Sequence, residues 1–175
     1  HNEWEITFEE IHRNGAIAFA IFNYHRYTGD YSYTLDHGIE VLFAIARFWQ
    51  QRASFSKHHS KYVILGVTGP NEYENNVNNN FYTNYIAKWC IEYALEQLNV
   101  IQSDYPSNYA TIIEKLNTSD EELNAMKAVA SGMYFPYSEE YGVYLQQDGF
   151  LDKELEIRKQ NYLPPFQRFI SLILT

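Results

Sequence analysis

An aromatic stripe between residues 80 and 98 restricts the fold of this chain more than any other feature of the sequence. Its apolar members are Phe81, Tyr82, Tyr85, Ile86, Trp89, Cys90, Tyr93 and Ala94. Their spacing of i, i+1, i+4, i+5, i+8 and i+9 places them on one broad face of an α-helix. The stripe therefore predicts a helix over about residues 80–98 in a mainly α-helical chain.

The N-terminal part of the chain carries two more helical patterns. Thr7 and Glu10 form a candidate capping box at the start of the first pattern, and Gly29 is a suitable C-terminal stop. The second pattern extends from about Tyr33 to Arg52. Its apolar face consists of Ile39, Leu42, Phe43, Ala46 and Trp49.

Shorter elements are predicted around and after the long helix. Residues 53–61 are polar and predict a loop, and residues 62–67 predict an extended segment that ends at Gly69-Pro70. A short helix is expected over residues 109–116. Ser119 and Glu122 form a second capping box, for a helix with Leu123, Met126 and Ala130 on its buried side. Residues 133–137 and 143–147 flank a turn and predict a small hairpin or two extended loops.

Charge and composition exclude several functional classes. The chain has 13 Lys and Arg against 22 Asp and Glu, a net charge of −9, whereas a nucleic-acid-binding protein needs a basic surface. No apolar run approaches the 18 residues of a transmembrane helix, so no membrane partner is expected. The single cysteine, Cys90, cannot form an internal disulfide or a cysteine metal cluster. A cytoplasmic location is consistent with these features.

The most informative segment for chemistry is the loop of residues 69–80. It places the carboxylates of Glu72 and Glu74 among several asparagine amides. A glutamic acid that burial keeps protonated can act as a general acid, and amides can bind sugar hydroxyls without adding charge. The same residues are also typical of an asparagine cap before a helix, with solvated carboxylates. On spacing alone, the asparagine cap is the favoured interpretation of this loop, and a general acid remains the alternative.

The opening segment holds a second candidate site. Trp4 with Glu3 suits stacking and hydrogen bonding to a sugar, whereas Glu9 and Glu10 are explained by the preference for acidic residues in a first helical turn. His1 and Glu5 lack a second histidine at metalloprotease spacing, so no metal site is predicted.

Three segments resemble the disaccharide phosphorylases of glycoside hydrolase family 65. They are His1-Asn2-Glu3-Trp4-Glu5-Ile6-Thr7-Phe8-Glu9-Glu10-Ile11-His12-Arg13-Asn14-Gly15-Ala16, the block from Gly66 to Asn84 around Gly69-Pro70-Asn71-Glu72-Tyr73, and Gln146-Gln147-Asp148-Gly149-Phe150-Leu151-Asp152-Lys153. The opening segment is closer to the maltose-specific members. The resemblance covers roughly residues 1–156.

The resemblance implies a partial (α/α)6 barrel with long loops and a short β-like hairpin. It implies that Glu72 is the general acid and that His1, Glu3 and Trp4 contact the departing glucose. The implied substrates are maltose or a related glucosyl disaccharide and inorganic phosphate, which acts as co-substrate without any cofactor. The implied products are glucose and β-glucose 1-phosphate. The complete enzyme is expected to be a homodimer.

The chain also departs from the family pattern. Family members are several times longer, and neither their Trp-Asp donor pair nor their phosphate-binding residues occur here. Residues 1–156 are therefore expected to form part of the catalytic domain, with an incomplete site. Residues 157–175 form a non-matching tail that a truncated or frame-shifted reading would explain. A non-catalytic carbohydrate-binding module or a related glycoside hydrolase remain as alternatives.

Overall fold

The fold is known from a computed structural model that describes residues 6–72 and 74–153. It is mainly helical, as the sequence predicts, with two short hairpins. The helices are α1 (Ile6–Glu9), α2 (Arg13–Thr28), α3 (Ile39–Arg52, preceded by a π-helical turn over Thr34–Gly38), α4 (Phe81–Asp104), α5 (Pro106–Leu116) and α6 (Asp120–Ser131). The strands are β1 (Ser54–Ser56), β2 (Lys61–Val63), β3 (Tyr137–Ser138) and β4 (Val143–Tyr144), and a 3-10 turn covers Phe150–Asp152.

Helix α4 is the centre of the described structure, because α2, α3, α5 and α6 all contact it. It begins where predicted, since the side chain of Asn80 accepts a hydrogen bond from the backbone N–H of Thr83 (3.0 Å). It continues six residues past the predicted end at Leu98, to Asp104. The predicted stripe is too broad at its start: Tyr82 is 43% exposed and Tyr85 is 51% exposed.

The apolar face and the end predicted for α3 are confirmed, whereas residues 34–38 of the predicted helix form a π-helical turn. All five residues of its predicted apolar face are almost completely buried: Ile39, Leu42, Phe43, Ala46 and Trp49. Regular 3.6-residue spacing over three turns places such side chains on one side of a helix. That side packs against α4 and forms most of the hydrophobic core with it.

The predicted start of the first helix is wrong, whereas its end is confirmed. Thr7 lies inside α1 rather than at a cap, and the chain turns at residues 10–12 before α2 begins. Glu10 is buried and forms an ion pair with Arg13, so its carboxylate is directed away from the expected capping role. Gly29 ends α2 in the left-handed conformation, at φ 68°.

The second predicted capping box is half correct. The Ser119 hydroxyl accepts a hydrogen bond from the Glu122 N–H (3.3 Å) and so caps α6. The Glu122 carboxylate instead binds the guanidinium of Arg47, at 2.7 and 2.9 Å. An ion pair with bidentate geometry is stronger than a reciprocal cap, and it joins α3 to α6.

The structure has one hairpin that was predicted and one that was not. In the predicted hairpin, β3 pairs with β4 and Tyr137 lies opposite Tyr144. Residues 53–61, predicted as a loop, contain β1, which pairs with β2 so that Phe55 lies opposite Tyr62. The two rings contact each other edge to face, a cross-strand pair that stabilises a short ladder.

The second edge of β2 is also paired. The Tyr62 N–H donates to the carbonyl of Gly132, and the Tyr134 N–H donates to the carbonyl of Tyr62, both at 2.8 Å. This edge therefore binds the segment that follows α6. Within residues 6–72 and 74–153, no helix has the length and apolar character needed to cross a bilayer.

The crossing of α2 and α4 gives a stability prediction. Gly15 lies buried against Ile86, and a Cβ atom at Gly15 would overlap that side chain. We expect Gly15→Ala to lower the free energy of unfolding by up to about 2 kcal/mol, because an overpacking cost of about 1–3 kcal/mol outweighs the gain of about 1 kcal/mol in helix propensity. Chemical denaturation measures the change.

The exposed neighbour Ala16 provides the matched control. Ala16→Gly should cost only the propensity difference of about 1 kcal/mol. A Gly15→Ala protein more stable than the parent would contradict the close packing of α2 on α4.

Candidate active site

The loop that carries Glu72 is closed at its base by backbone hydrogen bonds. Val67 and Val77 each donate an N–H to the other's carbonyl, at 2.9 and 2.8 Å. Between them, the Glu72 N–H donates to the Gly69 carbonyl at 3.2 Å and forms a tight turn. Gly69 is needed there because a side chain at this position would collide with the Asn80 amide.

Glu72 is exposed and has a left-handed backbone, at φ 54°. This conformation costs an ordinary residue about 1–2 kcal/mol, and only Gly, Asn and Asp adopt it routinely. Strained backbone of this kind persists where the surrounding structure enforces it, and it is concentrated at functional sites. The conformation presents the Glu72 carboxylate to solvent on a tightly constrained turn.

Buried amides hold the C-terminal side of the loop. The Asn79 side-chain oxygen accepts from the Ile64 N–H (3.2 Å), and its amide nitrogen donates to the Asp148 carboxylate (2.6 Å). The Asn84 amide nitrogen donates to that same Asn79 oxygen (3.3 Å) and to the Tyr134 carbonyl (2.8 Å). The side-chain amides of Asn79 and Asn84 therefore form hydrogen bonds to other parts of the protein.

The cap interpretation of the loop is thus confirmed for Asn80, and buried Asn79 also serves the loop rather than a ligand. Asn71, Asn75 and Asn76 are exposed and remain the amides available to a sugar.

The segment after the second hairpin supports the loop from outside. The Gln146 carbonyl accepts from the Phe81 N–H (2.8 Å), and the Asp148 N–H donates to the Asn78 carbonyl (3.1 Å). Glu74, the second carboxylate of the loop, forms an ion pair with Lys153. Sequence reasoning missed this support, because nothing in the spacing of residues 146–153 indicates that they contact residues 74–81.

Helix α1 holds the N-terminal side of the loop through Glu9. The Glu9 carboxylate accepts hydrogen bonds from the Thr68 hydroxyl (2.7 Å) and the Asn76 N–H (2.6 Å), and its backbone carbonyl accepts from the Thr68 N–H (3.2 Å). The sequence explained Glu9 by the helix dipole. Glu9 does lie in the single turn of α1, and its carboxylate also binds the loop, which the helix dipole does not explain.

His12 also contacts Thr68, on the N-terminal side of the loop. Its Nδ1 lies 3.2 Å from the Thr68 carbonyl oxygen and donates to it, because a carbonyl can only accept. Burial lowers the pKa of His12, while Thr68 and the charges of Glu10 and Glu72 oppose that shift. The ring also meets Tyr82 edge to face at 5.8 Å.

The structure places one of the four expected site residues. Glu72 stands on the loop as described, whereas His1, Glu3 and Trp4 lie outside the described residues, as does the tail of residues 157–175. In the part of the chain that the structure describes, no group of three or more His, Cys, Asp or Glu side chains could hold a metal ion.

A family model for the glycosyl hydrolase family 65 central catalytic domain matches residues 1–167. The chain belongs to glycoside hydrolase family 65. Its helical fold is consistent with part of the (α/α)6 barrel expected for that family.

Relatives in family 65 share both the sequence and the fold. The chain is 53% identical over 156 residues to maltose phosphorylase of Bacillus subtilis, which covers 89% of this chain and 20% of that protein. It is 41% identical over 146 residues to α,α-trehalose phosphorylase of Thermoanaerobacter brockii, which covers 83% of this chain and 19% of that protein. The chain thus spans about a fifth of the length of the curated relatives it matches.

A solved structure of a putative kojibiose phosphorylase from the human microbiome is also similar. It superimposes with a TM-score of 0.69 at 30% identity, over 79% of this chain and 18% of that one. At this identity the likeness supports the family assignment as well as the fold.

Removal of the central amide should destabilise the protein. Asn79→Ala leaves the buried Ile64 N–H without its partner, removes the amide that donates to the Asp148 carboxylate, and places alanine at φ 53°. We expect the free energy of unfolding to fall by about 2–4 kcal/mol. Exposed Asn71→Ala should stay within about 0.5 kcal/mol of the parent in the same denaturation series. Equal effects of the two substitutions would show that the amide network does not hold the loop.

The pH dependence of stability tests the environment of His12. Because its pKa is lowered in the folded state, the unfolded chain binds more protons below the ordinary value of 6.5. The contribution of His12 to the free energy of unfolding is therefore present at neutral pH and is lost as the pH falls below 6.5. We expect His12→Asn, which keeps a donor for Thr68, to lose less stability than the parent between pH 7 and pH 5.

The other histidines cancel in that comparison, because both proteins contain them. An identical fall in the two proteins would contradict the burial of a neutral His12.

Proposed function

We propose that the protein carrying this chain is a disaccharide phosphorylase in which Glu72 is the general acid. The observation that carries this proposal is the placement of Glu72. A strained, exposed glutamate stands on a loop that buried amides on one side and α1 on the other hold in place. Family membership and 53% identity to a maltose phosphorylase support the reaction class and favour maltose as substrate.

In the proposed reaction, Glu72 donates its proton to the oxygen that joins the two glucose units. A phosphate oxygen attacks the anomeric carbon from the opposite face as the glycosidic bond breaks. The leaving glucose takes the proton, and the configuration inverts to give β-glucose 1-phosphate.

One carboxylate is enough for this reaction. An inverting hydrolase needs a second carboxylate to activate water, whereas phosphate is already a competent nucleophile. No cofactor is needed in this scheme.

The remaining parts of the proposal follow from the family resemblance. His1, Glu3 and Trp4 contact the departing glucose, and residues outside this chain bind the donor glucose and the phosphate. The complete protein acts as a cytoplasmic homodimer.

Substitution of the acid tests the proposal. Glu72→Gln keeps the size and hydrogen-bonding capacity of the side chain but cannot release a proton to the leaving oxygen. We expect it to lower phosphorolysis of maltose by about 10²–10⁴-fold, measured as glucose 1-phosphate formed in the complete protein. Glu74→Gln is the control, because Glu74 lies two residues away and pairs with Lys153.

The outcomes separate the alternatives. Near-normal phosphorolysis in Glu72→Gln would contradict the assignment of the acid. Glucose released equally with and without phosphate would indicate a hydrolase, and maltose binding without turnover would indicate a non-catalytic module.

A further inference from the structure

The loop that carries Glu72, closed by the pairing of Val67 with Val77, is called the acid loop below. Glu9 binds it on both sides of Glu72. Thr68 lies four residues before Glu72 and Asn76 lies four residues after it, and the same Glu9 oxygen, Oε2, accepts hydrogen bonds from both. The distance to this oxygen is 2.7 Å from the Thr68 hydroxyl and 2.6 Å from the Asn76 N–H. One carboxylate oxygen therefore links the two sides of the loop.

The groups that Glu9 binds differ in their access to water. Thr68 is completely buried, so its hydroxyl would be left without a partner in a protein lacking the Glu9 carboxylate, apart from a long contact of 3.5 Å to the Asn75 side-chain oxygen. Asn76 is exposed and has a left-handed backbone, at φ 54°. Without Glu9, its N–H could turn to solvent and release the turn that carries Glu72.

We propose that Glu9 is a positioning residue that holds the general acid Glu72 in place by binding its loop on both sides. The inference rests on the proposed function. It assigns Glu9 no proton transfer and no contact with substrate, because both its hydrogen bonds go to the loop. Loss of the contact should therefore slow proton donation by Glu72 more than it weakens the binding of either substrate.

The central experiment compares Glu9→Ala with Glu9→Gln in the complete protein. Alanine removes both hydrogen bonds, whereas the glutamine carbonyl oxygen has two lone pairs and can accept both. We expect Glu9→Ala to lower kcat for phosphorolysis by about 10²-fold, the usual effect of a small misplacement of a catalytic group. Glu9→Gln should recover most of that loss.

Kinetics of the synthetic direction give a readout that general loss of structure would not. We expect Glu9→Ala to lower kcat in this direction too and to leave the KM values for glucose and for β-glucose 1-phosphate close to those of the parent. Glu139→Ala, which removes an exposed carboxylate from the hairpin turn, should leave kcat and both KM values at those of the parent. Thr68→Val removes one of the two donors and should give a smaller change in the same direction, which keeps the test available if Glu9→Ala does not fold.

Three results would overturn the proposal. Parental kinetics in Glu9→Ala would show that the contact is not needed. A Glu9→Gln protein as impaired as Glu72→Gln would assign Glu9 a chemical role, such as the base of a hydrolase. Equal increases in both KM values would indicate general loss of structure.

Amide hydrogen exchange separates failure of this inference from failure of the proposed function. If the parent shows no phosphorolysis, the function fails, but the contact can still be measured. The Asn76 amide should exchange at least about tenfold faster in Glu9→Ala than in the parent or in Glu9→Gln. Equal exchange in all three proteins would overturn the contact itself.

Discussion

The buried side-chain amide of Asn79 joins three parts of the chain that are distant in sequence. It binds the backbone of Ile64 after the first hairpin, the carboxylate of Asp148 after the second hairpin, and the amide of Asn84 in α4. A buried polar group without partners costs several times what a satisfied hydrogen bond contributes. The hydrogen bonds of Asn79 therefore hold the three segments together as one frame.

That frame explains how the chain maintains a strained glutamate at an exposed turn. The backbone of Glu72 is unfavourable for its residue type, and on a free loop it would relax. Here the pairing of Val67 with Val77 closes the loop, and Glu9 binds it from α1. The constraint directs one carboxylate outward, where the proposed proton donation to a bound disaccharide would use it.

The sequence predicted the elements that depend on local patterns. The apolar face of α3, the caps at Asn80 and Ser119, the stop at Gly29 and the hairpin near residue 140 all follow from spacing or from a single residue's preference. Each needs only neighbours within a few positions. The resemblance to family 65 predicted the family, which the comparisons confirm.

The remaining features depend on distant contacts. Glu9 and Glu10 look like an acidic helical turn, but Glu9 binds residues 59 and 67 positions away. The first hairpin was missed because its residues 54–61 are mostly polar, and its ladder is stabilised by a ring contact and by pairing with the segment after α6. No local signal identified residues 146–153 as the outer support of the loop.

The placement of Glu72 against a bound substrate is the central claim, and a crystal structure tests it directly. The complete protein would be crystallised with a maltose analogue in which sulfur replaces the bridging oxygen, so that cleavage is slow. We expect a Glu72 carboxyl oxygen within hydrogen-bonding reach of the bridging atom, about 3 Å or slightly more for sulfur. A bound analogue whose bridging atom contacts another carboxylate, with Glu72 facing solvent, would contradict the account.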